Sequence, residues 1–262
     1  MLHISPGFTA YLIFVTLIIG LCAGSFANCA AWRAVHGEGI LRGRSHCPCC
    51  GHTLGPGELI PLVSWLLQKG RCRACGERIS PRYPLAEAIC ALAFLSALLR
   101  LDVTPALAEY CILAALLLAV SLADWEDQLI PDRFLVLGGL NALIFAAGLS
   151  SSPIRALLHA LLGGLVIALP LLLLVLLADQ LTGRETMGGG DIKLLFMLGL
   201  YFPWQAGLLI LLLSCFLGLG LAFALGKTGR ETIPFGPSLC LAAWLVFLWG
   251  RPVIDWYLSL FA

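Results

Sequence analysis

Four cysteines of the sequence are spaced as two CxxC pairs, Cys47 with Cys50 and Cys72 with Cys75. Four thiolates surround one Zn²⁺ in a tetrahedron, and a site closed by four protein ligands is structural rather than catalytic. Redox-active thiols are the alternative, although a reducing cytoplasmic loop disfavours disulfides. We therefore predict a structural zinc site whose metal binding is coupled to the folding of the loop. Beside these four residues, Cys49 is an extra thiol, and His46 and His52 are open as substitute ligands.

Two aspartates lie where long apolar runs meet polar segments, Asp124 at the end of one run and Asp191 at the start of another. An ionisable group at the lipid boundary costs free energy, which makes it a candidate for function. Two carboxylates brought together share one proton and can prepare a base and an acid on one water. The three glycines before Asp191 allow backbone or substrate to approach closely.

Each aspartate also has an ordinary structural interpretation. Asp124 is compatible with a solvated loop carboxylate or a charge at a helix end, and Asp191 is compatible with the N-cap of the sixth span. Three further acids compete with Asp124 as the partner of Asp191, and their spacing does not choose among them: Glu126, Asp127 and Asp132. The same acids can attract a basic peptide or form a solvated turn.

The elements that position these residues are predicted to be membrane-spanning helices. Hydrophobic residues make up 60% of the 262-residue chain and charged residues 12%, against about 25% charged residues in an ordinary soluble domain. A span requires about 20 mostly apolar residues. The sequence predicts an all-α polytopic membrane protein with about eight transmembrane helices, at 4–32, 84–99, 103–123, 134–154, 156–178, 194–226 (two spans, broken at 201–204) and 232–250. A count of seven stays open if the stretch after Asp191 is re-entrant.

These spans predict three parts, which are a first transmembrane helix (1–32), a polar zinc-binding loop domain (33–83) and a transmembrane catalytic domain (84–262). Basic residues in short loops favour the cytoplasm. Thirteen of the 16 Lys and Arg residues fall on one side of this topology, and only Arg100, Arg155 and Arg251 fall on the other. We therefore predict that the cysteine loop and both aspartates face the cytoplasm. The basic residues on that side are Arg33, Arg42, Arg44, Lys69, Arg71, Arg73, Arg78, Arg82, Arg133, Arg184, Lys193, Lys227 and Arg230.

A set of motifs along nearly the whole chain resembles those of the bacterial type IV prepilin peptidases. Two of them contain the aspartates, two contain the cysteine pairs, and the others lie at the ends of predicted spans. In order, they are 24–28 (GSFAN), 47–50 (CPCC), 70–75 (GRCRAC), 79–84 (ISPRYP) with Glu87, Asp124 with 129–132 (LIPD), 188–195 (GGGDIKLL) and 233–237 (IPFGP). The set is specific because its members occur together and in the same order.

The resemblance implies a bifunctional enzyme of the bacterial inner membrane. In such enzymes two aspartates, here Asp124 and Asp191, cut a basic leader from type IV prepilins and type II secretion pseudopilins after a glycine. The new N-terminal amine, usually of phenylalanine, is then methylated with S-adenosylmethionine. The methyltransferase activity rests on the resemblance alone, because the sequence has no dinucleotide-type GxGxxG motif. No nucleic acid is expected as a partner, and a homodimer is left open.

Two other classes of protein compete with this interpretation. A transporter would carry its carboxylates near the middle of a span, whereas these aspartates lie at span ends. A zinc-dependent assembly protein would need only the cysteines and would leave the GGGD segment unexplained.

Overall fold

The computed structural model describes residues 5–39, 43–184, 186–226 and 233–260. Within these ranges the chain is helical, and the only β pairing is a pair of isolated bridges in the cysteine loop. The helices are α1 (Pro6–Val35), α2 (Val63–Leu67), α3 (Arg82–Leu101), α4 (Pro105–Asp127), α5 (Asp132–Leu149), α6 (Pro153–Thr182), α7 (Gly189–Tyr201), α8 (Trp204–Ala224) and α9 (Gly236–Ser259). Several predicted features lie outside the described residues: the start of the first span at Ile4, the start of the last span at Thr232, and the basic residues Arg42, Lys227 and Arg230.

Seven of the described helices are long and apolar enough to cross a membrane: α1, α3, α4, α5, α6, α8 and α9. The predicted sixth span is the exception, because α7 has only 13 residues. At 1.5 Å per residue such a helix is about 20 Å long, shorter than the roughly 30 Å hydrocarbon core of a bilayer. The described residues therefore contain seven long spans, the alternative count that the sequence left open, and one short helix that follows the GGG segment. The predicted break is in place, since α7 ends at Tyr201 and α8 begins at Trp204.

The chain forms two compact units that meet within α4, one ending at Leu122 and the other beginning at Ala123. We call them unit 1 and unit 2. The division predicted from sequence, with 33–83 as a separate loop domain, stays a prediction.

In unit 1 the core is the contact between α1 and α3, which glycines bring close together. A Cβ atom at Gly20 would lie 2.6 Å from the Cα atom of Ala91, and one at Gly24 would lie 2.8 Å from the Cα atom of Glu87. Side chains at these positions would push the helices apart. The loop is attached to the same helix pair, because the buried Glu87 side chain accepts a hydrogen bond from the backbone N–H of Leu62 (2.7 Å).

In unit 2 the short helix α7 packs against α5 and α6 and is mostly buried. A Cβ atom at Gly199 would lie 2.6 Å from the Cα atom of Gly164 in α6. At the far end of α7, the Tyr201 hydroxyl donates to the carbonyl of Gly138 (2.7 Å) and accepts from the side-chain amide of Asn141 (2.8 Å), both in α5. These contacts fix α7 within the bundle and hence the position of Asp191 in its first turn.

Candidate active site and metal centre

Asp124 lies in the last turn of α4 and is buried, with 5% of its surface exposed. Its Oδ2 atom accepts a hydrogen bond from the backbone N–H of Gly236 (2.8 Å), the first residue of α9. The first N–H groups of a helix have no partner within that helix, so they suit a negative charge. The position requires glycine, because a Cβ atom at residue 236 would lie 2.7 Å from Oδ2. Burial thus excludes the solvated-loop interpretation of Asp124, whereas its place at a helix end agrees with the other structural interpretation.

Asp191 lies in the first turn of α7 and is half-buried. The N-cap of this helix is Gly188, so the alternative prediction that Asp191 is the N-cap was wrong. Its Oδ1 atom is buried and accepts no hydrogen bond from any described residue. The preceding Gly190 lies against the connection between α4 and α5, because a Cβ atom there would come within 3.0 Å of the Ile130 side chain.

The two aspartates belong to unit 2 and lie close enough for the Asp124 charge to repel the Asp191 carboxylate. Their segments are also joined at the surface, since the Lys193 Nζ atom lies 2.7 and 3.0 Å from the two carboxylate oxygens of Asp132. The LIPD, GGGD and IPFGP segments, which are far apart in the sequence, therefore meet around two carboxylates. Such a pair can hold one proton between its members, and this arrangement allows one carboxylate to act on water as a base while the other donates a proton.

The structure also distinguishes Asp124 from the three other acids that were candidates for partner of Asp191. Asp127 and Asp132 are exposed, and Asp132 is engaged by Lys193. Glu126 is half-exposed. Among these four acids only Asp124 is buried, and its charge acts on the Asp191 carboxylate.

The four cysteines predicted as ligands converge in unit 1, where their Sγ atoms all lie within 4.8 Å of one another. The Cys47 and Cys75 sulfurs are 3.9 Å apart. A Zn–S bond of about 2.3 Å places two sulfurs of a tetrahedron about 3.8 Å apart, so the cluster has the size of a metal site. The cluster can therefore hold a metal ion.

The two CxxC pairs have the same local fold. The Cys47 N–H donates to the carbonyl of His52 and the Cys72 N–H donates to the carbonyl of Glu77 (2.9 and 2.8 Å). Gly51 and Gly76 follow the second cysteines with φ of 71° and 73°, in the left-handed region that favours glycine. In the second turn the backbone N–H groups of Cys75 and Ala74 lower the pKa of the Cys72 thiol to about 7, which favours the thiolate that a metal needs.

The substitute ligands do not join the cluster. His52 Nε2 lies 3.1 Å from the Glu58 carboxylate, and the His46 ring meets the Trp32 ring edge to face. Cys49 is exposed and is absent from the set of converging thiols. The cluster thus consists of Cys47, Cys50, Cys72 and Cys75, and it leaves out Cys49 and both histidines.

Two family models match the sequence, the bacterial Peptidase A24 N-terminal domain over residues 18–101 and the Type IV leader peptidase family over residues 111–223. A protein named prepilin leader peptidase/N-methyltransferase from Aeromonas hydrophila is 39% identical over 83% of this chain and 76% of its own length. The chain belongs to the type IV leader peptidase family. Family members of the same name from Bacillus subtilis (strain 168) and Pseudomonas aeruginosa are each 34% identical over 94% of this chain, and over 98% and 93% of their own lengths. No solved structure matches the chain.

Membership of the type IV leader peptidase family confirms the family predicted from the motifs, and the helices confirm an all-α, multi-pass membrane fold. Three residues of the sites were not assigned a role from sequence. Gly236 lay inside the recognised IPFGP motif, but its amide could not be paired with Asp124. Lys193 lay inside the GGGD motif, but its contact with Asp132 was not expected. Glu58 carried no signal, since no spacing relates it to the cysteines.

Proposed function

We propose that this chain cuts the basic leader from type IV prepilins and type II secretion pseudopilins and then methylates the new N-terminal amine, usually of phenylalanine. The observation that carries the proteolytic half is the buried Asp124, held by the α9 amide, whose charge acts on the Asp191 carboxylate. The names of the relatives, which combine both activities, support the methyltransferase half.

The contacts of the two aspartates support different roles for them. A hydrogen bond from a backbone N–H stabilises a carboxylate in its charged form, and Asp124 accepts one from Gly236. Asp191 Oδ1 accepts none within the described ranges, so the shared proton resides on Asp191. Asp124 then takes a proton from the attacking water, while Asp191 donates its hydrogen bond to the carbonyl oxygen of the scissile peptide.

The metal that we propose for the cysteine cluster is a structural Zn²⁺. Its ligands would be the four thiolates of Cys47, Cys50, Cys72 and Cys75, whose sulfurs already have the required separation. Four protein ligands leave no open position for a water, so peptide cleavage is assigned to the aspartates. The part played by the cysteines is to fold residues 33–83 as a loop domain beside the membrane.

We place the enzyme in the bacterial inner membrane with the cysteine loop and the aspartates on the cytoplasmic side, where most of the basic loop residues lie. S-adenosylmethionine, when bound, supplies the methyl group. The substrates are prepilins and pseudopilins embedded in the same bilayer.

The test is mass spectrometry of a prepilin that is expressed together with the intact enzyme in bacterial membranes. Wild type should yield a shortened, singly methylated product. D124N and D191N should each reduce cleavage by at least about a hundredfold, the scale of general acid–base catalysis. D127N is the matched control, because it removes an exposed acid three residues from Asp124, and its cleavage should match wild type. Cleavage by a folded D124N or D191N protein at the wild-type rate would contradict the assignment.

A further inference from the structure

Unit 1 contains a cavity of about 410 Å³ next to the cysteine cluster. Its walls come from the end of α1, the cysteine loop and the start of α3, and they include the rings of Trp32, Trp65 and Tyr83. Trp65 is held in place, because its Nε1–H donates to the carbonyl of Ile79 (3.1 Å). Cavities of 300–1,000 Å³ with apolar and aromatic walls are typical of sites for small molecules.

One carboxylate in the cavity wall has an oxygen that accepts no hydrogen bond from the residues that the structure describes. The Glu58 side chain is 8% exposed, and its Oε2 atom accepts hydrogen bonds from the Gly55 N–H (2.9 Å) and from His52 Nε2 (3.1 Å). Its Oε1 atom is buried and, among the described residues, accepts no hydrogen bond. The Arg73 Nε atom is 4.0 Å from Oε1, beyond hydrogen-bond distance, on a side chain that is 58% exposed.

A buried carboxylate oxygen without a donor destabilises the fold, since its lost hydration is not replaced. Glu58 nevertheless retains a fixed position, because its other oxygen holds the Gly55 turn and the His52 ring. The cavity therefore contains an immobilised acceptor without its donor. It also contains flat aromatic surfaces of the kind on which a purine base stacks.

We propose that this cavity binds S-adenosylmethionine and that Glu58 Oε1 accepts a hydrogen bond from it. This inference rests on the proposed methyltransferase function and names the site for its cofactor. Three groups of the cofactor have the required donor chemistry, the amino group of adenine, the ribose hydroxyls and the α-ammonium group. A prepilin segment is the less suitable occupant, because a long apolar helix requires an extended groove rather than a cavity of this volume.

The test measures binding of S-adenosylhomocysteine to the purified, zinc-loaded full chain in detergent by isothermal titration calorimetry. E58Q is the informative variant, because a glutamine can keep accepting from the Gly55 N–H while its amide presents a donor in place of Oε1. Its affinity should fall at least tenfold, as expected for loss of a hydrogen bond to a charged group. D127N is the control, since it also removes one carboxylate charge, from an exposed side chain that does not line the cavity, and its affinity should stay within twofold of wild type.

Methylthioadenosine, which keeps the adenine and the ribose and lacks the α-ammonium group, shows which half of the cofactor holds the donor. If E58Q weakens both ligands equally, the donor belongs to the nucleoside, and if it weakens only S-adenosylhomocysteine, the donor is the ammonium group. Equal affinity of E58Q and wild type for both ligands, or an equal loss in D127N, would overturn the proposal. Absence of binding to wild type would overturn it as well.

A second measurement does not depend on the folding of a variant. Ultraviolet crosslinking of radiolabelled S-adenosylmethionine to the wild-type chain should label peptides from 25–33, 45–54 or 58–87, which contain the residues of the cavity wall, and labelling confined to other peptides would contradict the proposed cavity. Methylation of a cleaved prepilin by the same preparation separates the two claims. If wild type cleaves but does not methylate, the proposed function fails, whereas methylation with label elsewhere rejects only this site.

Discussion

Replacement of Gly236 by alanine tests the contact that holds Asp124. The added Cβ atom would lie 2.7 Å from Asp124 Oδ2 and 3.1 Å from its Cγ atom, whereas ordinary contacts begin at 3.4 Å. The carboxylate must therefore move by about 0.7 Å, which breaks or lengthens the 2.8 Å hydrogen bond from the Gly236 N–H. A hydrogen bond to a charged group contributes about 1.5–3 kcal/mol, and a loss of that size slows a reaction about 10- to 100-fold.

The assay is the initial rate of prepilin cleavage by purified G236A, with S-adenosylhomocysteine binding measured on the same sample. Cleavage should slow by that factor while binding stays within twofold of wild type, because the proposed cofactor cavity belongs to unit 1 and Gly236 to unit 2. G220A is the control, since a Cβ atom at Gly220 in α8 has no neighbour within 4 Å among the described residues. Cleavage by G236A at the rate of G220A would refute the role given to this amide.

Three further changes have defined outcomes. C72S should abolish the single zinc ion expected per chain, as measured by inductively coupled plasma mass spectrometry. C49S should retain the zinc, and loss of zinc in C49S would reject the proposed ligand set. K193M breaks the ion pair with Asp132, whose side chains are more than half exposed. The rate of prepilin cleavage should therefore fall less than about fivefold. Complete loss of cleavage would show that Lys193 does more than join two segments. G199A places a Cβ atom 2.6 Å from the backbone of α6 and should lower the free energy of unfolding by about 1–3 kcal/mol. G148A is the control, since a Cβ atom there meets no described atom within 4 Å, and G199A should unfold at a lower temperature. Equal unfolding temperatures of the two variants would contradict the close contact.

The cysteine ligands and the aspartates could be predicted because local sequence specifies them. The CxxC spacing folds each pair into its own turn, and a carboxylate at the end of an apolar run is visible in the hydropathy alone. The partners of these residues could not be predicted in the same way. The Gly236 amide is separated from Asp124 by 112 residues, so only the packed bundle brings them together.

The number of long spans shows a different limit. The apolar run at 194–226 contains no charge and is long enough to predict two spans with a break at 201–204. The break was correct, but the residues before it form a helix of only 13 residues, and hydropathy alone does not distinguish such a short buried helix from a span. The basic residues counted for orientation also include two with structural roles, since Arg33 donates to the carbonyl of Gly43 and Arg82 to that of Leu122.

The central claim is that Asp124 and Asp191 act as one unit in cutting the leader peptide. The most direct measurement is the cleavage rate of a purified prepilin by D124N, D191N and the double variant, with folding and zinc content verified for each. Residues that act together are not additive, so each single variant should be as slow as the double variant. If the double variant is slower than either single variant by the product of their separate effects, or if one single variant keeps the wild-type rate, the two aspartates do not form a catalytic pair.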